Sequence, residues 1–136
     1  MYRRHENLDE KKRAWLYCRI DAPEDEHGRL KGQQKELEDY AEQMGFEVVG
    51  VSQDTGSGLN FARNGLAEVI EAAAEGKMDV LLIVNLSRLG RDTVKTMDFI
   101  RGLDQLGIGL YSPLEGEIKL TRLEKMYGGL AAMRME

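Results

Sequence analysis

The run from Met78 to Leu86, MDVLLIVNL, is the feature that most limits what this chain can fold into. It is the most apolar stretch of the sequence, and it lacks the alternation that would turn one face towards water. Such strands are typical of parallel sheets that are covered on both faces, where every side chain is buried. The run therefore predicts a central strand inside an α/β domain.

Strand-like and helix-like segments alternate along the rest of the chain. This order predicts a mainly parallel sheet with helices on both faces. The predicted strands are 14–20, 46–53, 78–86 and 108–113, and the predicted helices are 30–44, 66–76, 91–107 and 119–136. Ligands of such sheets bind beyond the carboxyl ends of the strands. The loops after Ile20, Gln53 and Leu86 are therefore the places to look for a site.

Length and composition exclude several classes of protein. The 136 residues fit one domain, and no apolar run is long enough to span a membrane. Residues 1–12 are predicted as a disordered polar extension, and they lack the apolar segment of a secretory signal. The only cysteine, Cys18, is expected to be a buried small hydrophobic residue, and it favours a reducing, cytoplasmic location. Two histidines and one cysteine make a poor set of metal ligands, so no metal site is expected.

Arginines occur at each of the three strand ends, in a chain whose net charge is −5. Arg19 ends the first strand, Arg63 lies in the second loop, and Arg88 and Arg91 follow the central strand in NLSRLGRD. Arginine is well suited to binding phosphate through paired N–H groups. An acidic chain is an unusual DNA binder. If DNA is the ligand, either basic groups are focused at this edge or another segment supplies most of the affinity.

The motifs YCRID, DTGSG, ARNGL and DVLLIVNLSRLGRD, at their spacing, resemble the catalytic domain of the resolvase/invertase serine site-specific recombinases. The resemblance covers about residues 14 to 134. It implies a doubly wound α/β domain followed by a long helix and a separate DNA-binding domain. It also implies a serine that attacks a DNA phosphodiester, arginines that bind the scissile phosphate, assembly into dimers and tetramers, and no metal or nucleotide cofactor.

The resemblance also implies roles for individual residues. Arg19, Arg63, Arg88 and Arg91 match the phosphate-binding arginines of the family. The expected supporting residues are Tyr17 in the opening motif, Gln33 in the first helix, Asp54 at the end of the second strand, Ser57 in the glycine-rich loop and Ser87. The family's nucleophilic serine comes two residues after the first arginine. In this chain that position is Asp21.

Asp21 is the main departure from the family pattern. A carboxylate meets a phosphate with like-charge repulsion, about 4 kcal/mol for unit charges about 4 Å apart at an effective dielectric of about 20. If Asp21 attacked, the product would be an acyl phosphate, which hydrolyses readily. We expect instead that Asp21 forms a salt bridge with one or more of the arginines and that the site is inactive or nearly so. The sequence does not distinguish a natural aspartate from an engineered one.

Other serines offer alternatives as the nucleophile. Ser57 is the best substitute, since it lies near Arg63 in the sequence. Ser87 borders Arg88, but serine is a favoured helix cap and that role is the expected one. Ser52 lies in the second strand, and Ser112 follows the last one.

The C-terminal segment, residues 119–136, is predicted to begin a helix. Leu123, Met126, Leu130 and Met133 would share one apolar face. This apolar face could pack in the core of the domain, but the resemblance to the recombinase family favours a dimerisation helix. We therefore expect the catalytic domain to span residues 13–118, the oligomerisation helix to start at 119, and the chain to be cut before a DNA-binding domain.

Two other functions are compatible with parts of the sequence. The first is a non-catalytic recombinase relative that acts in oligomerisation or in regulation at DNA sites. The second is a receiver-like or flavodoxin-like small-ligand domain. Asp21 and the acidic run Glu24-Asp25-Glu26 imitate the paired acidic residues of a receiver, but no lysine lies at the end of a late strand.

Overall fold

The computed structural model of the chain describes residues 10–21, 27–56 and 64–125. The strands are β1 (Arg13–Ile20), β2 (Glu47–Thr55), β3 (Val80–Leu82), β4 (Gly109–Ser112) and β5 (Gly116–Glu117). The helices are α1 (Arg29–Met44), α2 (Asn64–Ala74) and α3 (Thr93–Gln105), with a short 3-10 turn at Leu86–Arg88. No helix within these described ranges is both long and apolar enough to cross a membrane.

The five strands form one sheet in the order β2-β1-β3-β4-β5. The first four strands in this order are mutually parallel, and β5 alone pairs antiparallel, with β4. The predicted mainly parallel α/β fold is thus confirmed. All three residues of β3 are buried at the centre of the sheet, as the apolar run required.

Helices cover both faces of the sheet, and each face has its own apolar core. On one face, Leu37 and Ala41 of α1 pack against Leu16 and Cys18 of β1 and their neighbours. Cys18 is fully buried, as predicted. On the other face, α2 and α3 pack over a larger cluster. Its members include Tyr17, Leu66, Val69, Leu81, Ile83, Leu89, Ile100, Leu103, Leu110 and Leu123.

Several predicted boundaries of strands and helices were wrong. The run Met78–Leu86 supplies only the strand Val80–Leu82, because the chain turns at Val84 and Asn85 into the 3-10 turn. The short β5 was not predicted, since two residues leave no periodic pattern. Helix α3 begins two residues later than expected, because Asp92 caps it by accepting a hydrogen bond from the backbone N–H of Lys95 at 3.1 Å.

The C-terminal helix begins at residue 120, and residues 120–125 are helical. Leu123 is 5% exposed and belongs to the core of its own domain, while Arg101 of α3 pairs with Glu124 at 3.5 Å. The expectation that Leu123 belongs to an intersubunit face was therefore wrong for this residue. Met126, Leu130 and Met133 lie outside the described residues, as does most of the predicted N-terminal extension.

Trp15 fixes the outer edge of the sheet. Its indole N–H donates to Ser52 Oγ at 2.9 Å, and Ser52 Oγ donates to Glu68 of α2 at 2.8 Å. The ring lies directly over Gly50, where a Cβ atom would fall 2.3 Å from a ring carbon. The register between β1 and β2 also skips Val49 beside this contact. Gly50 is therefore required by close packing.

We predict opposite effects for two glycine-to-alanine substitutions. Gly50→Ala should lower the free energy of unfolding by about 1–3 kcal/mol, because the added methyl displaces the Trp15 ring. Gly32→Ala should raise it by about 0.5–1 kcal/mol, because Gly32 lies in α1 with open space around its Cα and alanine favours the helix. Urea unfolding followed by the fluorescence of Trp15 measures both values. An unchanged Gly50→Ala protein would contradict the packing described for this edge.

Candidate active site

Three loops meet at the carboxyl edge of the sheet because β2, β1 and β3 are neighbours and run in the same direction. Asp21 follows β1, Gly56 follows β2, and the 3-10 turn Leu86–Arg88 follows β3 closely. This is the edge at which the sequence predicted a ligand site.

Arg19 is the side chain that joins these loops. It is 1% exposed, and each nitrogen of its guanidinium donates a hydrogen bond. Nε donates to the carbonyl of Arg88 at 3.0 Å, Nη2 to the carbonyl of Ser87 at 2.9 Å, and Nη1 to the carbonyl of Gly56 at 2.8 Å. Nη1 also donates to the Asp21 carboxylate. A buried arginine with so many partners acts first as a structural tie between the loops.

Gln33 of α1 holds the backbone of Arg19 in place. The backbone N–H of Arg19 donates to Gln33 Oε1 at 3.1 Å, and Gln33 Nε2 donates to the carbonyl of Arg19 at 2.9 Å. The side-chain amide of Gln33 therefore satisfies the backbone groups of Arg19, as a paired strand would, at a point where β3 no longer pairs with β1. Gln33 lies in the first helix as predicted, and its contacts assign it a positioning task.

Asp21 bridges two arginines, which confirms the predicted salt bridge. Oδ1 pairs with Nη1 of Arg19, and Oδ2 pairs with Nη2 of Arg91 at 2.9 Å. The hydrogen bond from Arg19 is the main reason that the pKa of Asp21 lies below its ordinary value. Burial opposes this shift, and the charges of Arg19, Arg91 and Arg88 add to it. The side chain of Asp21 remains 44% exposed. Asp21 is thus a charged group at neutral pH, held between cations at the rim of the site.

Arg88 and Arg91 retain more donor capacity than Arg19. Arg88 Nη1 donates to the carbonyl of Arg19 at 2.9 Å, but its buried Nε has no hydrogen-bond partner among the described residues. The side chain of Arg91 is 58% exposed and reaches Asp21 from the turn before α3. Three of the four predicted arginines therefore lie together at this edge. Arg63 lies outside the described residues.

Asp54 connects β1 to the start of α2. Its carboxylate accepts hydrogen bonds from the Tyr17 hydroxyl at 2.7 Å and from the backbone N–H groups of Gly65 and Leu66 at 2.8 Å each. A Cβ atom at Gly65 would fall 2.4 Å from the carbonyl oxygen of Gln53, so only glycine fits there. The glycine of the motif ARNGL is therefore required by close packing. Asp54 caps α2, the helix that directly follows Arg63 in the sequence.

The described serines differ in how accessible they are. Ser52 and Ser112 are buried, and each is hydrogen-bonded within the domain, Ser112 to Glu115. Ser87 is exposed on the 3-10 turn, and its hydroxyl contacts Asn85 Oδ1 at 2.5 Å. The expected capping role of Ser87 was wrong, because Asp92 caps α3. Ser57 lies outside the described residues.

A cavity of about 330 Å³ adjoins Arg91. Its lining residues are Leu86, Ser87, Gly90, Arg91, Thr93, Thr96, Met97 and Leu123. It connects the exposed side of Arg91 with the start of the C-terminal helix. Across residues 10–21, 27–56 and 64–125, no group of three or more histidine, cysteine, aspartate or glutamate side chains could hold a metal ion.

The sequence and the fold have clear relatives. A family profile for the N-terminal domain of resolvases matches residues 14–135. The chain belongs to the resolvase family of serine recombinases. The catalytic domain of ISC1926 TnpA, an IS607-like serine recombinase, is 32% identical with a TM-score of 0.66, over 74% of this chain and 69% of that one.

Other relatives agree in fold. The N-terminal catalytic domain of TP901-1 integrase is 23% identical, with a TM-score of 0.77 over 90% of this chain and 98% of that one. A resolvase family site-specific recombinase from Streptococcus pneumoniae is 19% identical, with a TM-score of 0.69 over 92% of this chain and 93% of that one. A curated protein named "Putative resolvase L103", from Acanthamoeba polyphaga mimivirus, is 29% identical over 73% of this chain. The chain spans about half the length of that relative, 49%.

We predict that Asp54→Asn lowers the free energy of unfolding by about 1–3 kcal/mol, because an amide cannot accept all the hydrogen bonds that converge on this carboxylate. Tyr17→Phe, which removes a single donor, should cost about 0.5–1.5 kcal/mol. The double variant should lose less than the sum, since the two groups interact directly. Urea unfolding of the native chain and the three variants gives a double-mutant cycle. Strictly additive losses in the free energy of unfolding would contradict the hydrogen bond between Tyr17 and Asp54.

We also predict that Asp21 contributes to the pH dependence of stability. Its pKa is lower in the folded chain than in the unfolded chain, where it is about 3.9. The stabilisation is therefore fully present above that unfolded-state pKa and is lost as the pH falls through the folded-state pKa. The urea midpoints of the native chain and Asp21→Asn should differ most near neutral pH and converge in acid. Asp79, whose pKa is lowered by Arg13, titrates in both proteins. A difference that did not vary with pH would contradict this role.

Proposed function

We propose that this chain is the catalytic-type domain of a site-specific DNA recombinase, and that it does not cleave DNA by the serine route as its sequence stands. The observation that carries the proposal is the trio Arg19, Arg88 and Arg91 at one sheet edge, with Asp21 two residues after Arg19. In the family resemblance, that position belongs to the nucleophilic serine. DNA is accordingly the proposed substrate, and its phosphodiester is the group recognised.

The geometry assigns different tasks to the arginines. Arg91 is exposed, and Nε of Arg88 has no partner among the described residues, so these two can donate to the non-bridging oxygens of a phosphodiester. Arg19 is buried and bonded to three backbone carbonyls, so its main task is to keep the loops at their spacing. Arg63, which directly precedes the helix capped by Asp54, is proposed as a further phosphate ligand.

The proposed defect in the chemistry begins with the missing hydroxyl nucleophile at position 21. A serine hydroxyl is neutral before attack and gives a phosphodiester-like link that can be reversed. The Asp21 carboxylate is negative, is bound to two guanidinium groups and would give an acyl phosphate that hydrolyses. Ser52 and Ser112 cannot replace it because they are buried. Ser57 stays a candidate substitute by its place in the sequence.

A non-catalytic role at DNA sites is the second candidate, and the double salt bridge of Asp21 favours it. A domain of this kind would still assemble with copies of itself. We propose that residues 119–136 supply that interface. Because Leu123 is buried in its own domain, the face would consist of Met126, Leu130 and Met133. With a net charge of −5, the proposed cytoplasmic protein needs a separate basic region for most of its DNA affinity.

We predict that the native sequence, within its full-length protein and with DNA carrying its site, forms no covalent protein–DNA adduct. Asp21→Ser should form one, because the hydroxyl removes the repulsion and supplies the nucleophile. A denaturing gel of labelled DNA measures the adduct. Asp98→Ser is a matched control, since Asp98 pairs with Arg101 on α3, and it should form none.

The possible outcomes separate the candidates. A covalent band with the native sequence would contradict the proposal, and loss of that band in Ser57→Ala would identify Ser57 as the nucleophile. If Asp21→Ser and the native sequence both bind the site without any band, the non-catalytic function is favoured.

A further inference from the structure

The Asp21 carboxylate makes the contacts that a bound oxyanion would make. Its two oxygens lie on two different arginines, Arg19 from the end of β1 and Arg91 from the turn before α3. The two non-bridging oxygens of a phosphodiester bridge cations in the same way. The arginine cluster therefore already contains an anion, and that anion belongs to the chain.

The cluster needs such an anion when no DNA is bound. Arg19 and Arg88 exchange hydrogen bonds with each other's backbone carbonyls, and the charges of both act on the Asp21 carboxylate. Arg91 joins them through Asp21. Like charges held at short range repel, and a carboxylate between them offsets the repulsion. Asp21 thus stabilises an arrangement that a phosphate would otherwise have to assemble.

Asp21 is also placed so that it can leave. It is the first residue after β1, and its side chain is 44% exposed, whereas Arg19 is 1% exposed and fixed by Gly56, Ser87 and Arg88. Moving the carboxylate into water would free donor capacity on Arg19 and Arg91, in addition to the Nε of Arg88, which has no partner among the described residues. The framework of the site would remain in place.

We infer that Asp21 is the resident ligand of an oxyanion site and keeps it closed to phosphate groups until it is displaced. This inference rests on the proposed function for the identity of the natural oxyanion, a DNA phosphodiester. The site is therefore autoinhibited by charge as well as by the lack of a hydroxyl. Neutralising residue 21 opens it even when no nucleophile is supplied.

The test is a calorimetric titration of the complete 136-residue chain with inorganic phosphate near neutral pH. Asp21→Asn keeps the shape of the side chain and removes its charge. It should bind phosphate at least about tenfold more tightly than the native chain, because a unit charge a few ångströms away no longer repels the ligand. Asp98→Asn makes the same charge change away from the site and should bind like the native chain. Adding Arg91→Gln to Asp21→Asn should remove the gain.

Each outcome decides for or against the inference. Equal phosphate affinity of Asp21→Asn and the native chain would overturn it, as would an equal gain in Asp98→Asn. If Asp21→Asn unfolds without phosphate, refolding on addition of phosphate but not chloride supports the inference, and failure to refold overturns it. Asp21→Ser gives a second measurement of the same affinity. Asp21→Asn could bind phosphate tightly while Asp21→Ser forms no DNA adduct. That result would support the inference that Asp21 occupies the oxyanion site, and it would contradict only the proposal that a serine at position 21 restores DNA cleavage.

Discussion

The buried guanidinium of Arg19 is the interaction on which the rest of the site depends. It binds the carbonyls of Gly56, Ser87 and Arg88, so the loops after β2 and β3 are tied to the end of β1. A buried charge is costly unless it is paired and hydrogen-bonded, and breaking such a pair typically costs about 3–5 kcal/mol. The three carbonyls satisfy its hydrogen-bond donors, and a nearby anion offsets its charge. Among the described partners of Arg19, Asp21 alone carries the compensating charge.

The same dependence explains why an aspartate is tolerated where the family resemblance places serine. A carboxylate two residues after Arg19 gains a cation on either side, and its own pKa falls as a result. In a chain with a net charge of −5, Arg19, Arg88 and Arg91 place three positive charges at this one edge. The substitution thus suits the resting structure and opposes the proposed chemistry. Under the proposed function, stability and activity make opposite demands on this residue.

Much of the fold could be predicted because it depends on patterns that repeat. The apolar run around Val80–Leu82 and the regular alternation of strands and helices specified a parallel sheet, and parallel strands bring their carboxyl ends together. The Asp21 salt bridge could also be anticipated, since arginines from three loops had to share that edge. What could not be predicted depends on single contacts: the burial of Arg19, the clamp by Gln33 and the cap by Asp92 rather than Ser87. Leu123 was misjudged because a core residue and an interface residue have the same helical spacing.

A pair of crystal structures tests the central claim most directly: the native chain and Asp21→Ser, both grown in inorganic phosphate. We expect Asp21 to bridge Arg19 and Arg91 in the native chain, with no phosphate between them. In Asp21→Ser we expect one phosphate in its place, bound by Arg88, Arg91 and Nη1 of Arg19, with Arg19 still on its three carbonyls. A phosphate beside an unmoved Asp21, or guanidinium groups of Arg88 and Arg91 that point to different faces of the domain, would contradict the account.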